Sequence, residues 1–141
     1  MSPTVIVALV LIAIGGAAIA VQAPINARLA QAAGSPILAA ATSFGGGFLV
    51  LAGLSLARDG VPSPQAFAGL PWWAWTGGAL GAIYVAAAAW IVTQIGVVTL
   101  VVALILGQMG AALVLDAVGA FGLTVREITW TRVMAVAFVV A

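Results

Sequence analysis

The sequence has no cysteine, no histidine and very little charge of either sign. Its 141 residues include four basic and three acidic side chains, which give a formal net charge of +1. Disulfides, thiolate chemistry, imidazole metal ligands and histidine acid–base catalysis are therefore excluded. So few charges also provide no basic patch for nucleic acid and no polybasic segment for a membrane surface.

The scarcity of charge further excludes a water-soluble domain. Charged residues make up 5% of the chain, whereas about 25% is typical of soluble domains. Hydrophobic residues make up 65%, and the mean hydropathy is +1.32. A chain of this composition cannot cover a surface in water. It predicts an all-α, polytopic bundle of membrane helices that forms one transmembrane domain, residues 1–141.

Sequence motifs of enzymes are missing as well. No histidine is present to activate a serine, no acidic pair is positioned to hold a metal, and no glycine-rich strand-to-helix turn could cradle a phosphate. The glycines lie instead in apolar runs, where helix packing explains them. We therefore predict that the protein is not an enzyme and uses neither a cofactor nor a metal ion.

Long apolar runs account for most of the chain. Each membrane span needs about 20 apolar residues. The runs predict five spans, at about 3–22 with a continuation to 31, 36–57, 71–92, 97–118 and 128–141. The fifth run is short for a full crossing, so we expect the natural helix to continue beyond Ala141; four helices and a tail is the alternative. Because the N-terminus has no positive region, we interpret the first run as a span and not as a removed signal peptide.

The connections between the spans carry glycine, proline and tryptophan. Gly34–Pro36 supplies a turn, an N-cap hydroxyl and a first-turn proline between spans one and two. Trp72, Trp73 and Trp75 open span three, which is typical of an interfacial belt. An aromatic ligand cage, the alternative, would need a cationic substrate and rings from several helices. Residues 93–96 predict a hinge between spans three and four.

The end of the first span carries two amides and a proline. Pro24 has no backbone N–H and should kink or end the helix nearby. Gln22 and Asn26 are four residues apart and share one face if the helix is continuous. Interrupted polar segments of membrane helices often line binding sites, so this face predicts a polar cavity. The alternative is a helix end near the lipid headgroups.

Glycines inside the spans predict surfaces for close helix packing, because they let neighbouring backbones approach. The three adjacent glycines of span two could also form a hinge, although packing is the favoured role. The predicted packing glycines are Gly45, Gly46, Gly47, Gly77, Gly81 and Gly107.

Asp116 is the only acidic residue inside a predicted span. An acid within the membrane is a candidate for proton coupling. Its place in the last turn of span four also allows a structural ion pair with Arg126 or Arg132, which follow the helix-breaking segment 119–122. Pairing is the favoured role, and coupling is the alternative.

Several motifs occur in an order that resembles one family of membrane proteins. They are Gln22-x-x-x-Asn26 with Leu29, Ser43-Phe44-x-x-Gly47, Pro71-Trp72-Trp73-x-x-x-Gly77-Gly78-x-x-Gly81-x-x-Tyr84, Gly107-Gln108 and Asp116-x-x-Gly119-x-Phe121-Gly122. They cover nearly the whole chain and resemble the YdcZ-type family (domain-of-unknown-function family 606) of the drug/metabolite transporter superfamily. The resemblance implies a small bacterial inner-membrane protein of about five helices, forming antiparallel dimers that export largely unassigned substrates. The chain lacks the span-one glutamate of the related small multidrug exporters, which argues against proton-coupled export of cationic drugs.

Two functional hypotheses follow. The first is a multi-pass inner-membrane transporter of an unknown small molecule, in which a second copy or a paralogue lies in the opposite orientation and completes a central cavity. The few charges give only a weak preference for either orientation. The predicted cavity groups are Gln22, Asn26, Ser43 and Gln108, with Tyr84 and Trp90 as aromatic walls. The second hypothesis is a non-transporting membrane subunit whose small-residue faces pack with partner helices.

Overall fold

The structure, a computed structural model, describes residues 1–140. The regular secondary structure within these residues is entirely helical. The α-helices are α1 (Pro3–Ala33), α2 (Pro36–Asp59), α3 (Gly77–Val118) and α4 (Trp130–Val140). Short 3-10 helices cover Pro64–Phe67, Trp72–Trp75 and Ala120–Gly122. Ala141, the last residue of the predicted fifth span, lies outside the described residues.

Three helical stretches among residues 1–140 are long and apolar enough to cross a membrane, namely Pro3–Ala33, Pro36–Asp59 and Trp72–Val118. The prediction of a helical membrane protein is therefore confirmed. The third stretch has 47 residues. That length corresponds to about 70 Å of helix, more than twice the roughly 30 Å of a hydrocarbon core. Such a stretch could hold two of the predicted spans, and the count of five stays a prediction.

Gly96 interrupts α3. Its backbone angles, φ 78° and ψ 165°, are not helical and lie in a region that only glycine adopts readily. The break falls within residues 93–96, where the sequence predicts a hinge. The chain divides close to this point into two compact units, Met1–Gln94 and Ile95–Ala141. They are called here the N-terminal unit and the C-terminal unit.

A tight connection joins α1 to α2. Gly34 ends α1 in the left-handed conformation, with φ 73°, and its N–H donates to the Ala30 carbonyl. The Oγ of Ser35 caps α2 by accepting a hydrogen bond from the Leu38 N–H at 3.2 Å. Pro36 occupies the first turn of α2, where its missing N–H costs nothing. The residues that the sequence predicts to form the turn are thus the residues that end α1 and begin α2.

α1 continues through Pro24 and does not end there. The helix has 31 residues, so Gln22 and Asn26 do share one continuous face. Because proline has no N–H, the carbonyl of Ala20 lacks the donor that an ordinary residue would supply four positions later. A polar backbone group is therefore left without its helical partner in the same turns that carry the two amides.

Small side chains pack the N-terminal unit. Ala30 of α1, Ala39 of α2 and Ala89 of α3 form a buried cluster, and Leu29 packs against it. Alanine at such contacts lets helix backbones approach closely, as is common in membrane proteins. The cluster joins the three helices next to the α1–α2 connection. It therefore fixes the register of α1, α2 and the part of α3 that precedes Gly96.

One of the six predicted packing glycines makes a close contact within the described residues. A Cβ added at Gly81 would lie 3.0 Å from Cζ of Phe44, so the phenylalanine ring rests on this glycine. Since Phe44 follows Ala39 along α2 whereas Gly81 precedes Ala89 along α3, the two helices run in opposite directions. A Cβ would meet nothing within 4 Å at Gly45, Gly46, Gly47, Gly77 and Gly107.

The tryptophan cluster precedes α3 instead of opening it. Trp72–Trp75 form a 3-10 helix, and the α-helix begins at Gly77. The Thr76 hydroxyl donates to the Trp73 carbonyl at 2.8 Å, and the rings of Phe67 and Trp75 have centroids 5.9 Å apart. Sequence reasoning predicted a start at residue 71, because apolar indole rings cannot be distinguished by hydropathy from the residues of the helix that follows.

The C-terminal unit contains the part of α3 after Gly96, a compact turn and α4. Gly119 has φ 60°, and a Cβ on it would come within 2.7 Å of Cγ2 of Val125. Glycine is therefore required at this position. The N–H of Arg126 donates to the carbonyl of Asp116 at 2.8 Å, which folds the turn back onto the helix end. α4 has 11 residues, about 16 Å of helix.

Candidate functional site

The buried face of α1 carries one polar side chain, that of Asn26. The buried residues of this helix are Ala23, Asn26, Ala27 and Ala30, whose spacing puts them on one side. Asn26 is only 2% exposed. Gln22, one turn earlier, is half-buried. The amide face that the sequence predicts therefore lies inside the N-terminal unit, among alanines.

The side-chain amide of Asn26 has no hydrogen-bond partner within residues 1–140. Buried polar groups in proteins are nearly always paired. A buried donor or acceptor left unpaired costs about 1–3 kcal/mol. The amide makes none of the hydrogen bonds open to it within residues 1–140. Its oxygen and nitrogen are not among the fully buried, unpaired side-chain atoms of the described residues, so the small remaining exposure of Asn26 includes these two atoms.

Asn26, Ser43 and Tyr84 lie at a similar depth in the N-terminal unit. Each is about one helical turn from the alanine cluster, on the side away from the α1–α2 connection. Ser43 and Tyr84 are half-buried. The register therefore brings three of the predicted cavity groups to one level of the bundle, from three different helices.

Trp90 lies at a different place, beside a pocket of about 260 Å³ at the α1–α2 connection. The indole is 60% exposed. Residues that line this pocket include Ala27, Gln31, Gly34, Pro36, Trp90 and Thr93. Asn26 is not among its lining residues, so the pocket does not unite Trp90 with the amide that the sequence places in the same cavity.

Two polar residues of this pocket, Gln31 and Thr93, are absent from the predicted site. Oε1 of Gln31 accepts a hydrogen bond from Nη1 of Arg28 at 3.2 Å. Oγ1 of Thr93 donates to the Trp90 carbonyl at 3.2 Å. Each pair is three residues apart on one helix. This spacing brings the two side chains of Arg28 and Gln31 together and lets the Thr93 hydroxyl reach a backbone carbonyl of the preceding turn. That spacing is a usable signal, but the meeting of the two pairs depends on how α1 packs against α3.

Gln108 is exposed on the C-terminal unit, and its amide makes no hydrogen bond within residues 1–140. Gly107 beside it is also exposed. An amide near the middle of a long apolar helix is costly to leave against lipid. We therefore expect this position to face a partner or a cavity, and its predicted role stays a prediction.

Asp116 forms an ion pair with Arg132, which joins the end of α3 to the start of α4. Nη2 of Arg132 donates to Oδ2 of Asp116. The two side chains are 32% exposed for the arginine and 29% for the aspartate. Arg126 contributes its backbone N–H to the same turn. Nη1 of Arg132 is buried and has no partner in the described part of the chain.

A second pocket, of about 230 Å³, adjoins this ion pair. Apart from the pair, its lining side chains are apolar, among them Met109, Leu113 and Val136. Within the described residues, no three histidine, cysteine, aspartate or glutamate side chains come close enough to hold a metal ion. The C-terminal unit thus offers one paired acid in a largely apolar setting.

Comparison with known protein families identifies the family of this chain. Residues 7–141 match the profile of a family described as "Putative inner membrane exporter, YdcZ". The chain belongs to the YdcZ family. The resemblance seen in the sequence motifs is therefore confirmed. Comparisons with curated proteins and with solved structures gave no match.

Membership of the YdcZ family identifies a membrane protein from a family of transporters, and such a family is not a class of enzymes. The family's description names no substrate and assigns no role to any side chain. What each residue of this YdcZ protein does must therefore be argued from burial, hydrogen bonding and charge.

Proposed function

We propose that the protein exports a small molecule across the bacterial inner membrane as an antiparallel dimer. Two chains inserted in opposite orientations, either two copies or a copy and a paralogue, would each supply five spans and half of a central cavity. Alternating access would be the exchange between two equivalent asymmetric arrangements. Family membership supports export, and inverted repeats of this kind are common among transporters.

The unpaired amide of Asn26 is the observation that carries this proposal. A buried amide without partners reduces stability by about 1–3 kcal/mol, so a purely structural helix contact gains nothing from it. Transport does gain, because a substrate or water that enters the interface can make the missing hydrogen bonds. Ser43 and Tyr84 at a similar depth would extend the polar surface, and Gln22 would extend it by one turn.

The exposed glycines of α2 support the dimer. No atom of residues 1–140 outside the helix's own backbone lies within 4 Å of a Cβ placed at Gly45, Gly46 or Gly47, so these glycines make no close helix contact in the described part of the chain. A second chain is the partner that would use it, since adjacent small residues permit close helix contact in lipid. An odd number of spans with little charge bias suits insertion in both orientations.

A non-transporting membrane subunit is the second candidate. The observation that favours it is the same burial of Asn26, because an amide 2% exposed among alanines also fits a closed helix interface. In that case the glycines would dock a different partner. The two candidates differ in whether water ever reaches Asn26.

Flux measurements on the purified protein test the proposal. The protein is reconstituted in liposomes and offered a broad panel of metabolites and drugs, with Asn26→Leu as the matched variant, whose side chain has the same branching and no polar atom. We expect at least one compound to move with the parent protein and not with the variant. Movement of no compound, from a correctly folded dimer, would favour the non-transporting subunit.

The orientation of the chains has its own test. Because the sequence has no cysteine, a single Arg58→Cys substitution gives one labelling position, in the exposed last turn of α2. We expect membrane-impermeant thiol reagents to label it from both sides of the membrane. Labelling of the whole population from one side would exclude the antiparallel homodimer.

A further inference from the structure

A basic side chain lies beside the pocket at the α1–α2 connection, and no acidic side chain lies near it in the N-terminal unit. Arg28 is the only charged side chain in residues 1–57. Its Nη1 lies 3.2 Å from Oε1 of Gln31, which lines the pocket. The one acid of the N-terminal unit, Asp59, ends α2, about 35 Å along the helix from Pro36. At that distance a charge in water is fully screened at physiological salt.

The polar atoms of the pocket favour a ligand that accepts hydrogen bonds at one end. Because Oε1 of Gln31 is already bonded to Arg28, the two N–H groups of its amide are the ones left to donate. The guanidinium itself can pair with a carboxylate through two parallel hydrogen bonds. Oγ1 of Thr93 donates to the Trp90 carbonyl, so this hydroxyl can accept from a donor on the ligand.

The remaining wall is suited to a flat ring. The Trp90 indole is 60% exposed and lines the pocket, and offset stacking on an indole stabilises an aromatic ligand. The volume of about 260 Å³ is below the roughly 300–1,000 Å³ of pockets for drug-sized ligands. It suits a molecule with a single ring.

We propose that this pocket recognises a small planar carboxylic acid, with its ring against Trp90 and its carboxylate toward Gln31 and Arg28. The inference rests on the proposed export function, because it names the class of molecule that would be exported. It excludes cationic compounds, for which the pocket offers no counter-charge.

Equilibrium binding tests the proposal with three compounds of one shape. Benzoate, benzamide and benzylamine are titrated against the full-length protein in nanodiscs of phosphatidylcholine, which carries no net charge. We expect the protein to bind benzoate at least about tenfold more tightly than benzylamine, because a charged hydrogen bond to guanidinium is lost with the amine. Equal or tighter binding of benzylamine would overturn the proposal.

Three variants assign the effect to the pocket. Arg28→Gln should weaken benzoate binding about tenfold and leave benzamide unchanged, while Arg58→Gln, at the far end of α2, should change neither. Trp90→Leu should weaken the binding of all three compounds. Monodisperse elution of each variant excludes misfolding. Unchanged benzoate binding in both Arg28→Gln and Trp90→Leu would overturn the site.

Arg28 could instead contact an anionic lipid, and the same titration distinguishes this. The benzoate measurement is repeated with phosphatidylglycerol in the nanodiscs. We expect the preference for benzoate over benzylamine to persist, although the affinity falls as the lipid competes. If lipid abolishes benzoate binding altogether, Arg28 is a headgroup contact and the proposal fails.

Flux in liposomes separates this inference from export itself. Binding of benzoate to the parent protein, together with movement of no compound in the panel, would keep the site and overturn the export function. Movement of other compounds that is unaffected by Arg28→Gln and Trp90→Leu would keep export and overturn the site.

Discussion

The two units of this protein treat their inner polar groups in opposite ways. In the N-terminal unit, Asn26 is 2% exposed and its amide has no partner in the described chain. In the C-terminal unit, Asp116 is about a third exposed and is bound to Arg132. The two charged groups, which cost far more to bury than an amide, are thus paired with each other, although Nη1 of Arg132 is buried without a partner in the described residues.

This contrast distinguishes a polar group that holds the fold together from a polar group that is available to a ligand. The Asp116–Arg132 pair joins two helices, and each charge has the other as its partner. Only Nη1 of the arginine is left buried without a hydrogen bond in the described residues. The amide of Asn26 makes no hydrogen bond within the described residues, so a molecule that enters the interface could bind it. The difference favours the N-terminal unit as the place where substrate is recognised, and it favours a structural role for Asp116.

Asn26→Leu should have the largest effect. The substitution replaces an amide that makes no hydrogen bond in the described residues by an apolar side chain of the same branching, so we expect transport to be abolished. The folded state should become about 1 kcal/mol more stable, because the desolvation cost of the amide is removed. Flux in liposomes and thermal unfolding in detergent measure the two changes. A loss of stability would mean that the amide is satisfied in the folded membrane protein.

Gly46→Leu should disrupt the dimer and leave the chain folded. Nothing within 4 Å of the added Cβ obstructs it in one chain, so any effect must come from a partner. Size-exclusion chromatography with light scattering should show monomers. Ala41→Leu, at an exposed position of the same helix roughly 140° around its axis from Gly46, is the matched control. A dimer that survives Gly46→Leu would exclude this face of α2 from the interface.

Asp116→Asn should have the smallest effect. A partly exposed ion pair contributes about 0–1 kcal/mol, so the dimer should remain folded. Any pH dependence of substrate binding should also be retained, since we assign Asp116 to the pair with Arg132. Binding or flux across pH 5 to 9 is compared for the two proteins. If the variant alone loses its pH dependence, Asp116 is the coupling acid.

Much of the fold could be predicted because membrane helices and their caps are local features. Composition alone gives a helical membrane protein, and Gly34 and Pro36 give the connection of α1 to α2. The break at Gly96 lies in the predicted hinge, because a glycine in that context allows backbone angles that other residues avoid. The membrane-capable stretch begins at Trp72, next to the predicted start at residue 71. The α-helix within it begins at Gly77, a boundary that hydropathy does not show because the 3-10 segment of tryptophans is as apolar as the helix.

The site was harder to predict because it depends on contacts between helices. Spacing along α1 correctly placed Gln22 and Asn26 on one face, but no pattern shows that Asn26 is unpaired. Gln31 and Thr93 were missed because their shared pocket forms only when α1 packs against α3. The six packing glycines were predicted as one class, although a Cβ at Gly81 alone among them would meet a neighbour in the described part of the chain.

Thiol labelling at Asn26 tests the central claim most directly. Asn26→Cys and Ala39→Cys, the latter at a 0% exposed position of the same interface, are compared in native membranes with a small water-soluble thiol reagent. If the amide meets substrate during transport, the cysteine at position 26 will be labelled as the cavity opens, while the one at position 39 will stay inert. Equal inertness at both positions, in protein that is folded and dimeric, would contradict the account and make Asn26 a packing residue.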